Sequence, residues 1–177
     1  KTGKPLIVVY IEGRPLEKNW ASEYADALLT AYYPGQEGGN AIADVLFGDY
    51  NPSGRLPISV PRSVGQIPVY YNQKAPRNHD YVEVSSSPLY SFGYGMSYTT
   101  FEYSDLQVVQ KSARCFEVSF KVKNTGKYDG EEVSQLYMRD EYASVVQPMK
   151  QLKHFERFYL SKGEEKLIVF TLAEEDL

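Results

Sequence analysis

The chain has 177 residues, 42% of them hydrophobic, enough apolar material for one domain core or two small ones. Its 19 Lys and Arg against 23 Asp and Glu leave a net charge of −4, spread over both halves, so no basic stripe exists to neutralise phosphates and nucleic acid is not an expected partner. No apolar run approaches the ~20 residues that cross a bilayer, so no membrane span is expected. The N-terminus shows no charged-then-apolar leader; a start at Lys1 without methionine is what a piece cut from a longer protein would show, any leader being lost with the missing part.

In chain order, Leu6-Ile7-Val8-Val9-Tyr10-Ile11 is a continuous β-rich apolar run, the pattern of a strand buried on both faces of a parallel sheet. Asn19 to Tyr24 can open a helix. The next stretch, Asp26 to Tyr32, fits either a helix continuing from Trp20, by its alanines and leucines, or a second strand. Tyr33-Pro34-Gly35 ends that run, and Gly38-Gly39 marks a helix start. Ala41 to Phe47 forms a short amphipathic helix, with Gly48 at the position of a C-terminal cap. Asn51-Pro52-Ser53-Gly54 turns the chain into Leu56-Pro57-Ile58-Ser59-Val60, a strand-like segment that its proline confines to an edge or a terminus. Strand, turn, helix, turn, strand is α/β architecture.

From Arg62 to Pro88 the prolines and the triplet Ser85-Ser86-Ser87 predict a linker running over the surface. After Phe101 the pattern changes to alternating strands at sandwich-like spacing: Leu106–Gln110, Phe116–Val122, Val133–Met138, Leu152–Leu160 and Lys166–Leu172. In the second of these, Phe116, Val118, Phe120 and Val122 face one way, and Cys115, Glu117, Ser119 and Lys121 the other. An immunoglobulin-like β-sandwich is the expected fold of this half.

Tyr33 to Pro61 closely resembles the end of the second domain in the family 3 glycoside hydrolases, the β-glucosidases and β-xylosidases, whose pattern is YPGQEGG, then A-A-D-LFG, then NPSGRLP. The likeness runs upstream through Gly3 to Val9 and Gly13-Arg14-Pro15, and downstream through Tyr90-Ser91-Phe92-Gly93-Tyr94-Gly95-Met96-Ser97-Tyr98 to Phe101. Asn124-Thr125-Gly126 and Gly130 to Tyr137 look like the fibronectin type III-like appendage of that family. The resemblance implies that Asp26 to Tyr32 is a second parallel strand. It implies an incomplete α/β sandwich at 1–62, a linker at 63–99 and a fibronectin type III-like sandwich at 100–177. It further implies a C-terminal, non-catalytic portion of an enzyme that removes β-linked glucose or xylose from oligosaccharides and glycosides, inactive by itself, and periplasmic or secreted. Its partners would be the substrate oligosaccharide and the remaining domains, with self-association of the isolated piece. The other reading is a stand-alone β-sandwich module that binds polysaccharide or a protein.

Retaining hydrolysis of a glycoside needs two carboxyl groups about 5–5.5 Å apart, one as nucleophile and one as acid and base. The resemblance implies that both precede Lys1, so no catalytic residue is assigned here. Local candidates for a substrate rim are Glu12, at the C-terminal end of the first strand where α/β sheets place ligands, and His79 and Asp80 in the polar loop Arg77 to Tyr81. Against that, Glu12 and Arg14 can simply shape the turn at Gly13-Pro15. Glu37 fits a helix-cap role, and Glu131-Glu132 a solvated strand end. His79 and His154 are 75 positions apart, and neither has Cys or carboxylate at ligand spacing, so no metal and no cofactor are expected. His154 and the lone Cys115 are expected at the surface. The aromatic series Tyr90, Phe92, Tyr94, Tyr98, Phe101 and Tyr103 fits a sugar platform or, better given Gly93 and Gly95, packing at a crossing between domains.

Overall fold

A computed structural model of the chain describes residues 3–74, 80 and 82–176. It is mostly sheet, with two short α-helices and two 3-10 turns, and divides into two compact units. One comprises Lys1–Tyr50, Leu56–Tyr71 and Pro76–Tyr94; the other comprises Asn51–Arg55, Asn72–Ala75 and Gly95–Leu177.

The first unit is built on β1 (Ile7–Tyr10) and β2 (Ala27–Thr30), which pair in parallel from Ile7 opposite Ala27 to Tyr10 opposite Thr30. The segment open to either reading, 26–32, is therefore extended: its backbone groups are taken up by the partner strand, and this outweighs the helix preference of Ala and Leu. The pairing begins at Asp26, whose carboxylate accepts the Leu6 N–H (2.7 Å) and whose own N–H donates to the Leu6 carbonyl (2.8 Å). Between the strands runs α1 (Asn19–Tyr24), making a miniature right-sized crossover. The expectation that Leu6 to Ile11 is buried on both faces is not met. Leu6, Ile7 and Ile11 are 40%, 50% and 65% exposed, and among the described residues this sheet has two strands.

The predicted helix forms as α2 (Gly38–Phe47), one turn longer at its start. Ile42, Ala43, Val45 and Leu46 make its half-buried face. Its N-terminus is tight because a Cβ on Gly38 would come within 2.5 Å of Pro34. Gly48 ends it in the left-handed conformation (φ 87°), its N–H donating to the Val45 carbonyl. The expected strand at 56–60 does not form. Pro57 has no N–H, and the segment instead makes discrete backbone bonds, Leu56 N–H to Tyr94, Gly93 N–H to Leu56 and Val60 N–H to Tyr90, each 2.8 Å. The serine triplet is tied down as well. The buried Gln66 donates from Nε2 to the carbonyls of Ser85, Ser86 and Ser87, at 2.8–3.2 Å.

The second unit holds the five strands expected from alternation. They are β3 (Phe101–Ser112), β4 (Cys115–Asn124), β5 (Gly130–Met138), β6 (Gln151–Leu160) and β7 (Glu165–Leu172). They form two antiparallel sheets, β3-β4-β7 and β5-β6. Alternation along β4 buries Val118, Phe120 and Val122, while Phe116 at its start is only half-buried. Phe120 and Val122 join Phe158, Leu160, Ile168 and Phe170 in one core, with Phe101 and Leu136 against it. The hairpin between β6 and β7 closes through Gly163 (φ 81°). His154, expected at the surface, is half-buried: it stacks on Phe170 (centroids 5.6 Å apart, 14° between planes), with Nε2 3.3 Å from Asp176 Oδ2. The register puts it opposite Leu136, on the inward side of β6.

Replacing Phe120 by Ala is expected to destabilise the sandwich by about 3–5 kcal/mol, measured as a lower denaturant midpoint with unchanged slope. The conservative Phe120→Leu should recover more than half of that loss.

Candidate functional site

Two buried ion pairs stand out, one in each unit. In the first, the turn after β1 carries Glu12, which is 6% exposed, and the residue before α1 is Lys18, 3% exposed. Lys18 Nζ lies 2.6 Å from Glu12 Oε1, donates to Oε2 (2.9 Å) and to the Leu16 carbonyl (3.2 Å), and sits 4.6 Å above the Tyr10 ring. Glu12 also ties β1 to β2 through its backbone, its N–H donating to the Tyr32 carbonyl (3.2 Å). Tyr32 adopts a left-handed backbone (φ 49°), unusual for a residue with a side chain. Its hydroxyl and Glu12 Oε1 are buried without a directed hydrogen bond among the described residues. Burial first, and then the Glu12 charge, push the Tyr32 hydroxyl above its ordinary pKa. This pair stands at the C-terminal ends of parallel strands, as expected for Glu12, but the carboxylate is committed to Lys18.

Asp80 is likewise occupied. Its Oδ1 accepts from the Ser86 N–H (2.8 Å), the Ser86 hydroxyl (3.0 Å) and the Ser85 hydroxyl (3.4 Å), and the Ser86 bonds hold its carboxyl below the usual range. His79 lies outside the described residues. Glu37 precedes α2 without capping it by its side chain, which instead accepts from Asn40 Nδ2 (2.7 Å). The aromatic series is shared between the two units. Phe92 stacks on Tyr71 (4.0 Å) and Tyr90 on Tyr94 (5.3 Å) in the first; Tyr103 stacks on Phe120 (5.7 Å) in the second. Among the described residues no group of three or more His, Cys, Asp and Glu is placed to hold a metal ion.

The second ion pair was invisible to sequence reasoning, which took Glu132 for a solvated strand end. Glu132 is 6% exposed and points inward from β5, its Oε2 2.7 Å from Arg55 Nη2. Its Oε1 accepts from the Tyr103 hydroxyl (2.9 Å), which also lies 2.9 Å from the fully buried Ser134 hydroxyl. Burial, with the Glu132 charge and hydrogen bond adding to it, pushes Tyr103 up to about 12. The one available signal was register: β5 alternates Gly130, Glu132, Ser134 and Leu136 on the core-facing side, so the carboxylate falls where an apolar residue is usual. Nothing in the sequence pointed to Arg55, 77 positions away.

Comparison with known proteins accounts for nearly all of the chain. Residues 1–98 match the glycosyl hydrolase family 3 C-terminal domain, and residues 132–177 the fibronectin type III-like domain. A periplasmic β-glucosidase of Salmonella typhimurium is 49% identical over 99% of this chain, and a β-xylosidase of Formosa agariphila 44% identical over 100%. Each match covers 25% of the relative, so the chain spans about a quarter of the length of these curated proteins. Among solved structures, a β-glucosidase of Erythrobacter marinus superposes with a TM-score of 0.91 at 45% identity, covering 96% of this chain and 23% of that one. A β-glucosidase of Listeria innocua in complex with isofagomine gives 0.89 at 41%, covering 98% and 26%.

Two measurements check the pairs. Lys18→Met leaves the buried Glu12 without its cation and is expected to cost the first unit about 3–5 kcal/mol; adding Glu12→Leu should return most of it. Trp20, the single tryptophan, reports this by fluorescence during urea unfolding. For Tyr103, whose pKa is raised in the folded state, the stabilising contribution is full below pH ~10 and is lost as pH rises toward about 12. Absorbance titration should show tyrosinate still forming late, and Glu132→Gln should bring the Tyr103 part of that late rise earlier.

Proposed function

Since the chain belongs to glycosyl hydrolase family 3, as part of the C-terminal region of that family, we propose that it is the non-catalytic end of a retaining β-glucosidase or β-xylosidase. The parent would release β-linked glucose or xylose from oligosaccharides and glycosides. The observation that carries this is the likeness to the Salmonella β-glucosidase along 99% of this chain but only 25% of that protein. The same likeness runs through both units, which disfavours a stand-alone binding module.

In this reading residues 1–62 are the end of an α/β sandwich domain, 63–99 the connection, and 100–177 a fibronectin type III-like sandwich. Both carboxyl groups of the retaining mechanism sit in the absent portion. Within this chain, the rim of a substrate site falls to the loop of His79 and Asp80, while Glu12 acts by holding the turn at Gly13. A Cβ on Gly13 would lie 2.2 Å from the Tyr33 hydroxyl, so a side chain there would have to displace the exposed Tyr33 ring. The partners are the β-linked oligosaccharide and the other domains of the parent, and the setting is the periplasm or the cell exterior. The exposed Leu6, Ile7, Ile11 and Trp20, beside an open two-stranded sheet, support a surface that the rest of the parent covers and through which the isolated chain self-associates.

Reading the gene upstream of the Lys1 codon tests the assignment: several hundred codons encoding a barrel domain are expected, and a start codon close by would defeat it. The purified 177-residue chain should not hydrolyse aryl β-glucosides or β-xylosides above background. Turnover that disappears with Glu12→Gln would place the chemistry here after all. Sedimentation should show concentration-dependent association that weakens with Ile7→Lys.

A further inference from the structure

The five residues Asn51–Arg55 leave the first unit after Tyr50, pack with the sandwich, and return at Leu56. They have no helix or strand of their own, and specific side-chain contacts hold them. Asn51 uses both ends of its carboxamide: Oδ1 accepts from the Ser97 hydroxyl and the Tyr98 N–H, both 2.9 Å, and Nδ2 donates to the Asp129 carbonyl (3.0 Å). Ser53 is 4% exposed. Arg55 closes the turn on itself, Nη1 donating to the carbonyls of Ser53 (3.1 Å) and Gly54 (3.3 Å), while Nη2 reaches Glu132.

The sandwich is shaped around this turn. A Cβ on Gly95 would lie 2.2 Å from the Gly54 carbonyl oxygen, and one on Gly130 would lie 2.3 Å from Asn51 Nδ2. Neither glycine has the positive φ that by itself favours glycine, so what excludes a side chain there is the space the turn occupies. At the base, a carboxylate 6% exposed and a serine with no exposure would have no reason to lie inside a sandwich unless a cation arrived from elsewhere.

We propose that the sandwich carries a socket for a turn of the Asn-Pro-Ser-Gly-Arg kind, and that residues 51–55 are its intrachain ligand. Glu132, held by the Tyr103 hydroxyl that also meets Ser134, binds the guanidinium end; Ser97, Tyr98 and Asp129 bind the carboxamide end, and Gly130 leaves room for it. The sandwich is therefore a discontinuous domain. Family matching assigns 51–55 and Glu132 to different domains, whereas the hydrogen bonds assign them to one. The socket's specificity comes from one buried charge and one bidentate amide, the chemistry that discriminates a correct peptide from one lacking either group.

The test uses the full 177-residue chain and a synthetic peptide spanning Tyr50–Pro57. Arg55→Ala is expected to raise amide exchange at Glu132 to Ser134 by roughly 100- to 1,000-fold, leaving the β4 core amides much less affected. The peptide added in trans should bind this variant saturably and restore most of that protection; the same peptide with alanine in place of arginine should not. The wild-type chain, its socket filled, should not bind the peptide. Gly130→Ala, which intrudes on the Asn51 site, should show the same loss without rescue, and it serves where Arg55→Ala does not fold. Unchanged exchange in both variants, failure of the peptide to protect the Arg55→Ala chain, or equal binding of the peptide to wild type would each overturn the proposal.

Discussion

The carboxylate of Glu132 is the constraint on which the sandwich is organised. A charge in a core must have a partner that reaches it with directed bonds, and here the partner is Arg55, drawn from a segment far away in sequence. Accepting that cation brings Asn51 to Gly54 with it, and the Gly54 carbonyl then leaves room only for glycine at 95, as the Asn51 side chain does at 130. The tyrosine that completes the coordination, Tyr103, also stacks on Phe120, so the polar network and the hydrophobic core share a wall. In the same unit, the buried Asn124 carboxamide accepts from Thr99 Oγ1 (2.8 Å) and donates to the carbonyls of Tyr128 (2.8 Å) and Leu160 (3.1 Å). Among the described residues the side chains of Glu132, Ser134 and Asn124 are thus all answered, the condition under which a buried network specifies one structure and does not merely weaken it.

The first unit uses the same device with less completion. Glu12 and Lys18 neutralise each other where the two parallel strands end, and Tyr32 is held in a strained backbone nearby. Yet among the described residues Glu12 Oε1 and the Tyr32 hydroxyl have no directed hydrogen bond, and the sheet beside them has two strands with exposed Leu6, Ile7 and Ile11. Two strands cannot bury their faces, and a parallel sheet of this kind is normally covered on both sides. A unit of this sort is coherent as the end of something larger, in line with a chain that spans about a quarter of its relatives.

Local chemistry made much of this readable in advance. Gly48 after an amphipathic run announced the end of α2, and period-two alternation located all five strands of the second unit. At those places the signal is written in neighbouring residues: a left-handed cap needs glycine, and a face buried along a strand needs every second residue apolar. The same rules misjudged Leu56 to Val60, where the pattern was extended but Pro57 removed a donor and the partner segment offered only isolated bonds. They also overstated the burial of Leu6 to Ile11, since an apolar run states what a strand could be covered by and not whether the cover is present.

What the sequence determined by itself is therefore most of the element types, the inward face of β4 and the family, because each depends on short-range periodicity or on ordered motifs. Only the tertiary structure decided which charges are buried. Glu12, Glu132 and Arg55 look like any surface residues in a linear string, and their roles follow from partners 6 and 77 positions away. His154 owes its place to a stack on Phe170, and Gly130 owes its identity to an asparagine side chain from another segment. The physical reason is common to all of them. Burial of a polar group is set by the three-dimensional meeting of donors and acceptors, and no local pattern encodes a meeting between distant residues.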